Sequence, residues 1–412
     1  MLLIYRFLIN LLIFFLPFVG LYRILQGKEN LNSLTQKFGF YTKNNKNKLI
    51  WFHGSSVGEI LSVMPLIQEL EKNKKINQIL ITTTTLSSSK IIQKFKFKKT
   101  VHQFYPIDSN FLVKKFLSHW NPGLCIFIES EIWPNMIYEI KKRKKPLILL
   151  NARLTKKSFD RWYNFKKFSK LIFSKFNICL AQNNETIFFL RKLGSKNIKK
   201  IGNLKLIENK KSFDYKLNKF QKNFFKNKKI LLCGSSTHNT EENFCINVFK
   251  SLKRNKDILI LIPRHVNRVD QIIKELDQNK LVSHKHSNKS RINKNTQVYL
   301  VDTYGEAKKF LNLSSIVFQG GSLIPHGGQN PLEAVREGCF VIHGPHVQNF
   351  TEIYNFLNKE NISFEFKNIN KAKKLIKSKI NNKLKNKKIK NKLKKIGLSI
   401  LSNTKNEILN YV

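Results

Sequence analysis

Acidic residues are scarce in this chain. Its 412 residues hold 26 Asp and Glu against 75 Lys and Arg, a formal net charge of +49. Cysteine is scarce too. The five cysteines, at 125, 179, 233, 245 and 339, form no CxxC pair and have no zinc-finger spacing, which argues against a disulfide scaffold and a zinc module. Cys125, Cys179 and Cys233 lie in apolar runs and read as buried free thiols of a reducing compartment. There is no Asp-x-Asp motif and no His/Cys cluster, so nothing in the sequence demands a metal. No RNA- or DNA-binding signature accompanies the positive charge. The excess is mostly Lys, spread along the chain with many Asn, Ile and Phe, and reads as compositional bias rather than a nucleic-acid footprint. A surface of this sign favours anionic membranes and phosphorylated lipids.

The N-terminus lacks a full-length apolar run. From Leu2 to Leu25, Arg6 and Arg23 bracket an apolar stretch interrupted by Asn10, shorter than the ~20 residues of a comfortable membrane span. A short transmembrane anchor, an interfacial helix and a signal-peptide core all fit that length. No small-x-small cleavage site follows, and Arg23, Lys28, Lys37 and Lys43 dominate the next residues. The reading is an uncleaved anchor over 1–25 with the main body on the cytoplasmic side.

The chain is long enough for two domains with separate cores. In the first, Leu49–Phe52, Ile79–Thr82, Leu124–Ile128, Leu147–Leu150 and Ile178–Ala181 read as strands; Val57–Leu70, Ser87–Phe95 and Trp133–Lys142 read as helices. In the second, the strands are Ile230–Cys233, Ile258–Ile262, Val298–Val301, Ile316–Phe318 and Phe340–His343, and the helices are Thr240–Leu252, Val266–Leu276, Glu306–Leu313 and Pro331–Arg336. Such alternation predicts an α/β protein with two parallel, doubly wound sheets. The expected boundaries are 26–211 for the first domain, 212–229 for a polar linker, and 230–412 for the second domain with a Lys-rich helical tail. That tail, Lys367–Lys395, reads as a solvated surface helix, with contact to an anionic membrane as the alternative.

In doubly wound sheets, ligands sit beyond the C-terminal ends of the strands, so the loops there carry the chemistry. The first is His53-Gly54-Ser55-Ser56-Val57-Gly58-Glu59. Partly desolvated in a cleft, Glu59 would gain a general-base pKa; otherwise it only complements a helix N-terminus. Next come Thr82–Lys90, rich in hydroxyls, then Glu129-Ser130-Glu131-Ile132-Trp133-Pro134-Asn135, whose acids must pair or bind substrate if buried. Asn151-Ala152-Arg153 and Gly202-Asn203-Leu204-Lys205 close the first domain. In the second, Ser236-Thr237-His238 precedes Glu241-Glu242, Pro263-Arg264-His265 offers a guanidinium for phosphate or carboxylate, and Asp302–Glu306 opens a helix. Gly320–Phe350 is richest: two glycine pairs precede Asn330-Pro331-Leu332-Glu333, with Pro331 at the first helical position. Glycines and a helix N-terminus suit a phosphate, and Glu333 suits a ribose diol. The alternative is an ordinary Gly-rich turn with Glu333 complementing the helix dipole.

Taken together, SVGE, EIWPN, NAR, GNLK, STH with its acids, PRH, GGS, NPLEA and GPH with NF resemble the 3-deoxy-D-manno-oct-2-ulosonic acid (Kdo) transferase family of lipopolysaccharide synthesis. The resemblance runs from the N-terminal segment to at least Ile353. It implies two Rossmann-like domains facing across a cleft, a GT-B glycosyltransferase. It implies inverting transfer of Kdo from CMP-Kdo to the lipid A precursor, lipid IVA, at the inner membrane. By resemblance, Glu59 is the general base, and Glu129 and Lys205 stabilise the transition state. CMP is held by Pro263 and Arg264, by Tyr304, Gly305 and Glu306, and by Asn330, Pro331, Leu332 and Glu333. No metal cofactor and no nucleic-acid partner are expected. Departures are Gly54 where Ala or Ser is usual, Tyr304 where Met is common, Gln329 for a frequent His, and TTLSSS for a TTPTGS-like turn. None removes a proposed catalytic group. Tyr304 bears on the nucleobase contact, and Gln329 leaves the role of the usual His open.

Overall fold

The computed structural model describes residues 1–46, 48–208, 216–381 and 387–412, with backbone only for 387–390. The chain divides into two compact units: Met1–Lys210 joined by Leu393–Val412, and Lys211–Lys392.

In the first unit, strands β1 (Leu49–His53), β2 (Gln78–Thr83), β3 (Thr100–Phe104), β4 (Leu124–Ile128), β5 (Leu147–Ala152), β6 (Ile178–Ala181) and β7 (Ile198–Lys200) form one parallel sheet in the order β3-β2-β1-β4-β5-β6-β7. All five residues of β1 and of β4 are buried, as befits central strands covered on both faces. Their side chains alternate between two cores. Leu49, Trp51, Cys125 and Phe127 pack with Phe116 and Trp120 on one face. Ile50, Phe52, Leu124, Ile126 and Ile128 pack with Val63, Met64 and Ile67 of helix Val57–Leu70 on the other. Each fully buried side chain of this size contributes on the order of 1.5–3 kcal/mol.

Residues Leu393–Val412, which the expected second domain included, group with the first unit instead. Ile400 and Ile408 are buried in the second core of the first unit, and Ile396 packs against it. Gly397 makes this possible: a Cβ there would stand 2.7 Å from the carbonyl oxygen of Leu206. The helix therefore lies directly on the segment that follows Gly202. Part of the expected linker 212–229 falls outside the described residues. Within the rest, Lys219–Lys226 is a helix capped by Asn218, and Lys229 already belongs to a strand.

In the second unit, β8 (Lys229–Thr237), β9 (Asp257–Pro263), β10 (Ser283–Lys285), β11 (Val298–Leu300), β12 (Ile316–Gln319), β13 (Phe340–His343) and β14 (Ser363–Glu365) form a parallel sheet ordered β10-β11-β9-β8-β12-β13-β14. Chain order reverses between β1 and β4 in the first sheet and between β8 and β12 in the second. Those switch points open crevices at the strands' C-terminal ends. The loops after all four strands were singled out by sequence.

The N-terminal segment is two helices, Leu2–Ile13 and Leu16–Leu25, bent by 53° at their junction. Pro17 at the start of the second explains the break, since it lacks an N–H for the preceding turn. Among the described residues no single helix is long and apolar enough to cross a membrane. The pair is fixed to the first unit: Tyr5 donates to Asp108 (2.8 Å), and Arg6 bonds Asn135 (3.0 Å) and Glu139 (3.1 Å). Asp108 in turn accepts the backbone N–H groups of Asn135 and Met136 at the start of helix Pro134–Lys142. Phe7, Phe14, Phe18 and Leu25 remain exposed.

Candidate active site

Glu59 stands in the first turn of helix Val57–Leu70, just beyond β1. Ser56 caps the helix, and the two residues form a capping box. The Glu59 carboxylate accepts from the Ser55 N–H (2.8 Å) and the Ser56 hydroxyl (2.7 Å). Burial nevertheless pushes its pKa up to about 7, helped by the negative charges of Glu131 and Glu129 against the hydrogen bonds from Ser56 and Ser55. Glu59 is thus both a helix cap and a half-buried carboxyl whose pKa is raised towards neutrality.

Glu131 behaves oppositely. Burial favours its neutral form, but hydrogen bonds and charge from His53, with further bonds from Ser55 and Trp133, hold it below the usual carboxylate range. His53 Nε2 lies 3.1 Å from Glu131 and Trp133 Nε1 donates at 2.7 Å. The His53 ring is wholly buried, stacked on Tyr105 at 3.8 Å between centroids, with Nδ1 3.0 Å from the Thr82 hydroxyl. Glu131 is thus a fixed negative charge beside a carboxyl that gives up its proton near pH 7.

Glu129 is buried at the end of β4 with φ +55°, a left-handed backbone that a non-glycine residue keeps only when its surroundings impose it. Its carboxylate pairs with Lys205 Nζ at 2.7 Å. Asn151, also left-handed at φ +53°, ties the two loops together. Its Nδ2 reaches Glu129 at 3.4 Å, and its Oδ1 accepts the Leu204 N–H at 3.0 Å. The C-terminal helix presses on the same segment through Gly397.

In the second unit, Glu241 is fully buried, and its two carboxylate oxygens accept four backbone N–H groups. These come from His238 (2.9 Å), Gly321 (2.7 Å), Ser322 (2.9 Å) and Leu323 (3.0 Å). One buried charge thereby clamps the loop after β8 to the loop after β12. Gly320 permits the contact, for a Cβ there would be 2.1 Å from the Ser236 oxygen. The Ser322 hydroxyl accepts from Gly344 N–H (3.0 Å), tying in the loop after β13. The Gly327 carbonyl accepts from the Asn349 N–H at 2.8 Å, and the Asn349 side-chain amide donates to the His326 carbonyl at 3.0 Å. Arg264 is exposed beyond β9, with its own N–H bonded to Thr237. Tyr304 is 67% exposed; Gly305 follows at φ +86°. Glu306 pairs with Lys309 at 2.5 Å and His286 at 3.5 Å. Burial raises the pKa of the Glu333 carboxyl, with Lys308 and Arg336 lowering it and Glu337 raising it further. Among the described residues no group of three or more His, Cys, Asp or Glu is arranged to hold a metal ion.

Residues 32–207 match the family described as 3-deoxy-D-manno-octulosonic-acid transferase (kdotransferase). A 3-deoxy-D-manno-octulosonic acid transferase of Rickettsia bellii is 34% identical over 334 residues, covering 80% of this chain and 79% of its own. This chain belongs to the Kdo transferase family. A Haemophilus influenzae member is 31% identical over 350 residues, covering 83% and 81%. Kdo transferases are glycosyltransferases, and so is this protein. The fold agrees: Anabaena Alr3699/HepE in complex with UDP and glucose superposes with TM-score 0.57 at 12% identity, covering 89% of this chain and all of that one.

For a Kdo transferase the placement of the expected residues is informative. Glu59, Glu129 and Lys205 gather at one switch point. Arg264, Tyr304–Glu306 and Asn330–Glu333 lie beyond the strands of the second sheet. One expectation is corrected. Pro331 is the cap, not the first helical residue, and the helix it opens is only Leu332–Arg336. So short a helix has a small dipole, and the phosphate argument built on it weakens. Instead, the Asn330 side chain accepts the Leu332 N–H at 3.1 Å. Sequence reasoning gave no role to His53, Asn151 or Asp108, and noted Glu241 only as a nearby acid. Their partners are far along the chain: 78 residues separate His53 from Glu131, and 80 separate Glu241 from Gly321. The only local signal for Glu241 was its place in the first turn after the STH loop.

Proposed function

We propose that this enzyme transfers Kdo from CMP-Kdo to the lipid A precursor, lipid IVA, with inversion and with Glu59 as general base. The observation that carries the reading is Glu59 itself: a carboxyl beyond β1 with a pKa of about 7, beside the Glu129–Lys205 pair. In the step we assign, an acceptor hydroxyl oxygen bonds to the anomeric carbon of Kdo and its proton passes to Glu59. The carbon–oxygen bond to CMP breaks, and its electron pair leaves on the phosphate. Lys205, held by Glu129, and Arg264 are the cations assigned to the developing charges, so the reading calls on no metal. Pro263, Tyr304, Gly305, Glu306 and Asn330–Glu333 are assigned to CMP.

The rival is a transferase of the same fold using another nucleotide sugar, since the solved relative holds UDP. Offered CMP-Kdo and UDP-glucose at equal concentration with lipid IVA, the enzyme is expected to consume only CMP-Kdo. Consumption of the UDP sugar instead would overturn the donor assignment.

The bent helix pair supports a membrane role. Its exposed Phe7, Phe14, Phe18 and Leu25 suit the acyl boundary of a bilayer, and Tyr5 and Arg6 hold it firmly on the first unit. We assign it to the cytoplasmic face of the inner membrane, where a lipid acceptor would be locally concentrated. Phe7→Glu/Phe14→Glu is expected to lower association with anionic vesicles by at least about tenfold, judging from the apolar area removed. Unchanged flotation with such vesicles would refute this placement.

A further inference from the structure

Three histidines cluster beside Arg264, and the mechanism above uses none of them. His238, after β8, is nearly buried; its ring centroid lies 4.3 Å from that of His326 and 5.6 Å from that of His265. His326 comes from the glycine-rich loop after β12, and His265 follows Arg264 after β9; both rings are exposed. The surrounding charges are accounted for. Arg268 is committed to the buried Glu242 at 3.0 Å. Glu241 spends both oxygens on backbone N–H groups. Gln329 Nε2 sits 3.3 Å from His238 Nε2. Among the described residues none of the three rings, nor Arg264, is paired with a carboxylate. The result is a patch of three imidazoles and one guanidinium that, among the described residues, has no carboxylate partner.

We propose that His238, His265 and His326, with Arg264, form a subsite for an anionic group of the sugar donor, either its phosphate or the carboxylate of its sugar acid. The inference rests on the donor reading above. Burial, the other two histidines, Arg264 and Arg268 together hold His238 down to about 4, and His265 is also lowered. An anion entering the patch reverses that repulsion, so binding draws a proton from solvent. By linkage, affinity then rises as pH falls from 8 towards 6.

Titration calorimetry in two buffers of different ionisation heat measures the protons taken up, at pH 7 and 8 for each ligand. The monoester phosphate of CMP itself titrates near ~6, so wild type and variants are compared at the same pH. The ligands are cytidine, CMP, and CMP with free Kdo. Uptake with CMP but not cytidine identifies the phosphate; uptake appearing only when Kdo is added identifies the carboxylate. His265→Asn and His326→Asn change exposed rings that face His238, and each is expected to lower the uptake measurably. CMP binding with no uptake in any arm, or with uptake unchanged in both variants, overturns the subsite and leaves the donor reading intact. Failure of the folded protein to bind CMP at all overturns both.

Discussion

Glu59→Gln is expected to lower the rate of transfer by about 10²–10⁴-fold, the usual span for removing a positioned base, while CMP binding is retained. The substitution is nearly isosteric, and its carbonyl oxygen still accepts from Ser55 or Ser56, so the capping box survives in part. What disappears is the proton acceptor. The wild-type rate should follow Glu59's ionisation, rising with pH through about 7 and levelling above it. Glu131→Gln gives an independent check. The amide still accepts from His53 and Trp133, but the negative charge that raises Glu59 is gone, so the profile should move to lower pH. The same shift bears on stability. Folded Glu59 holds its proton to about 7, whereas the unfolded carboxyl releases it near 4.5. The folded form therefore binds more protons across that window, and stability falls as pH rises through it. Glu59→Gln should accordingly melt slightly higher than wild type at pH 8. A flat pH profile in the wild type would contradict the assignment.

Lys205→Met should lower kcat by about 10²–10³-fold, the scale for losing one preorganised electrostatic stabiliser. It should also destabilise the fold by about 1–3 kcal/mol, below the range for a fully buried pair because Lys205 keeps some solvent contact. Both effects have one cause. Glu129 is held in a left-handed backbone, buried, with Lys205 as its ion-pair partner at 2.7 Å. Without that ammonium its charge is uncompensated and faces Glu59, so the pH profile of residual activity should shift upward. Thermal melts and pH–rate curves of the one variant read out both consequences. A variant that loses stability but keeps full kcat would reduce Lys205 to a structural role.

The central strands and the switch-point loops were legible because each is written locally. An unbroken apolar run as short as Leu124–Ile128, bounded by Gly123 and a polar loop, favours a covered strand, and Gly-Ser-Ser-Val-Gly-Glu after β1 announces a capped helix. The outer strands were not read. Thr100–Phe104, Ile198–Lys200, Ser283–Lys285 and Ser363–Glu365 are edges, mostly short and polar, and depend on a neighbour for their identity. The electrostatics of the site was hidden for a related reason. Nothing near Glu131 in sequence announces His53, and nothing near the GGS loop announces that Glu241 receives its amides. The chain's last residues were assigned to the second domain by their place in sequence, while Gly397, Ile400 and Ile408 set them against the loop that carries Lys205. Composition reports what a surface tolerates; a glycine at a 2.7 Å approach reports what the backbone must meet.

The most direct measurement is one transfer assay on purified wild type and Glu59→Gln, with CMP-Kdo and tetraacylated lipid A precursor as substrates and products weighed by mass spectrometry. Wild type is expected to add Kdo, with the mass giving the number of sugars, and Glu59→Gln is expected to add little or none while still binding CMP. Transfer by the variant at the wild-type rate, or none by a folded wild type that binds CMP, would contradict the account.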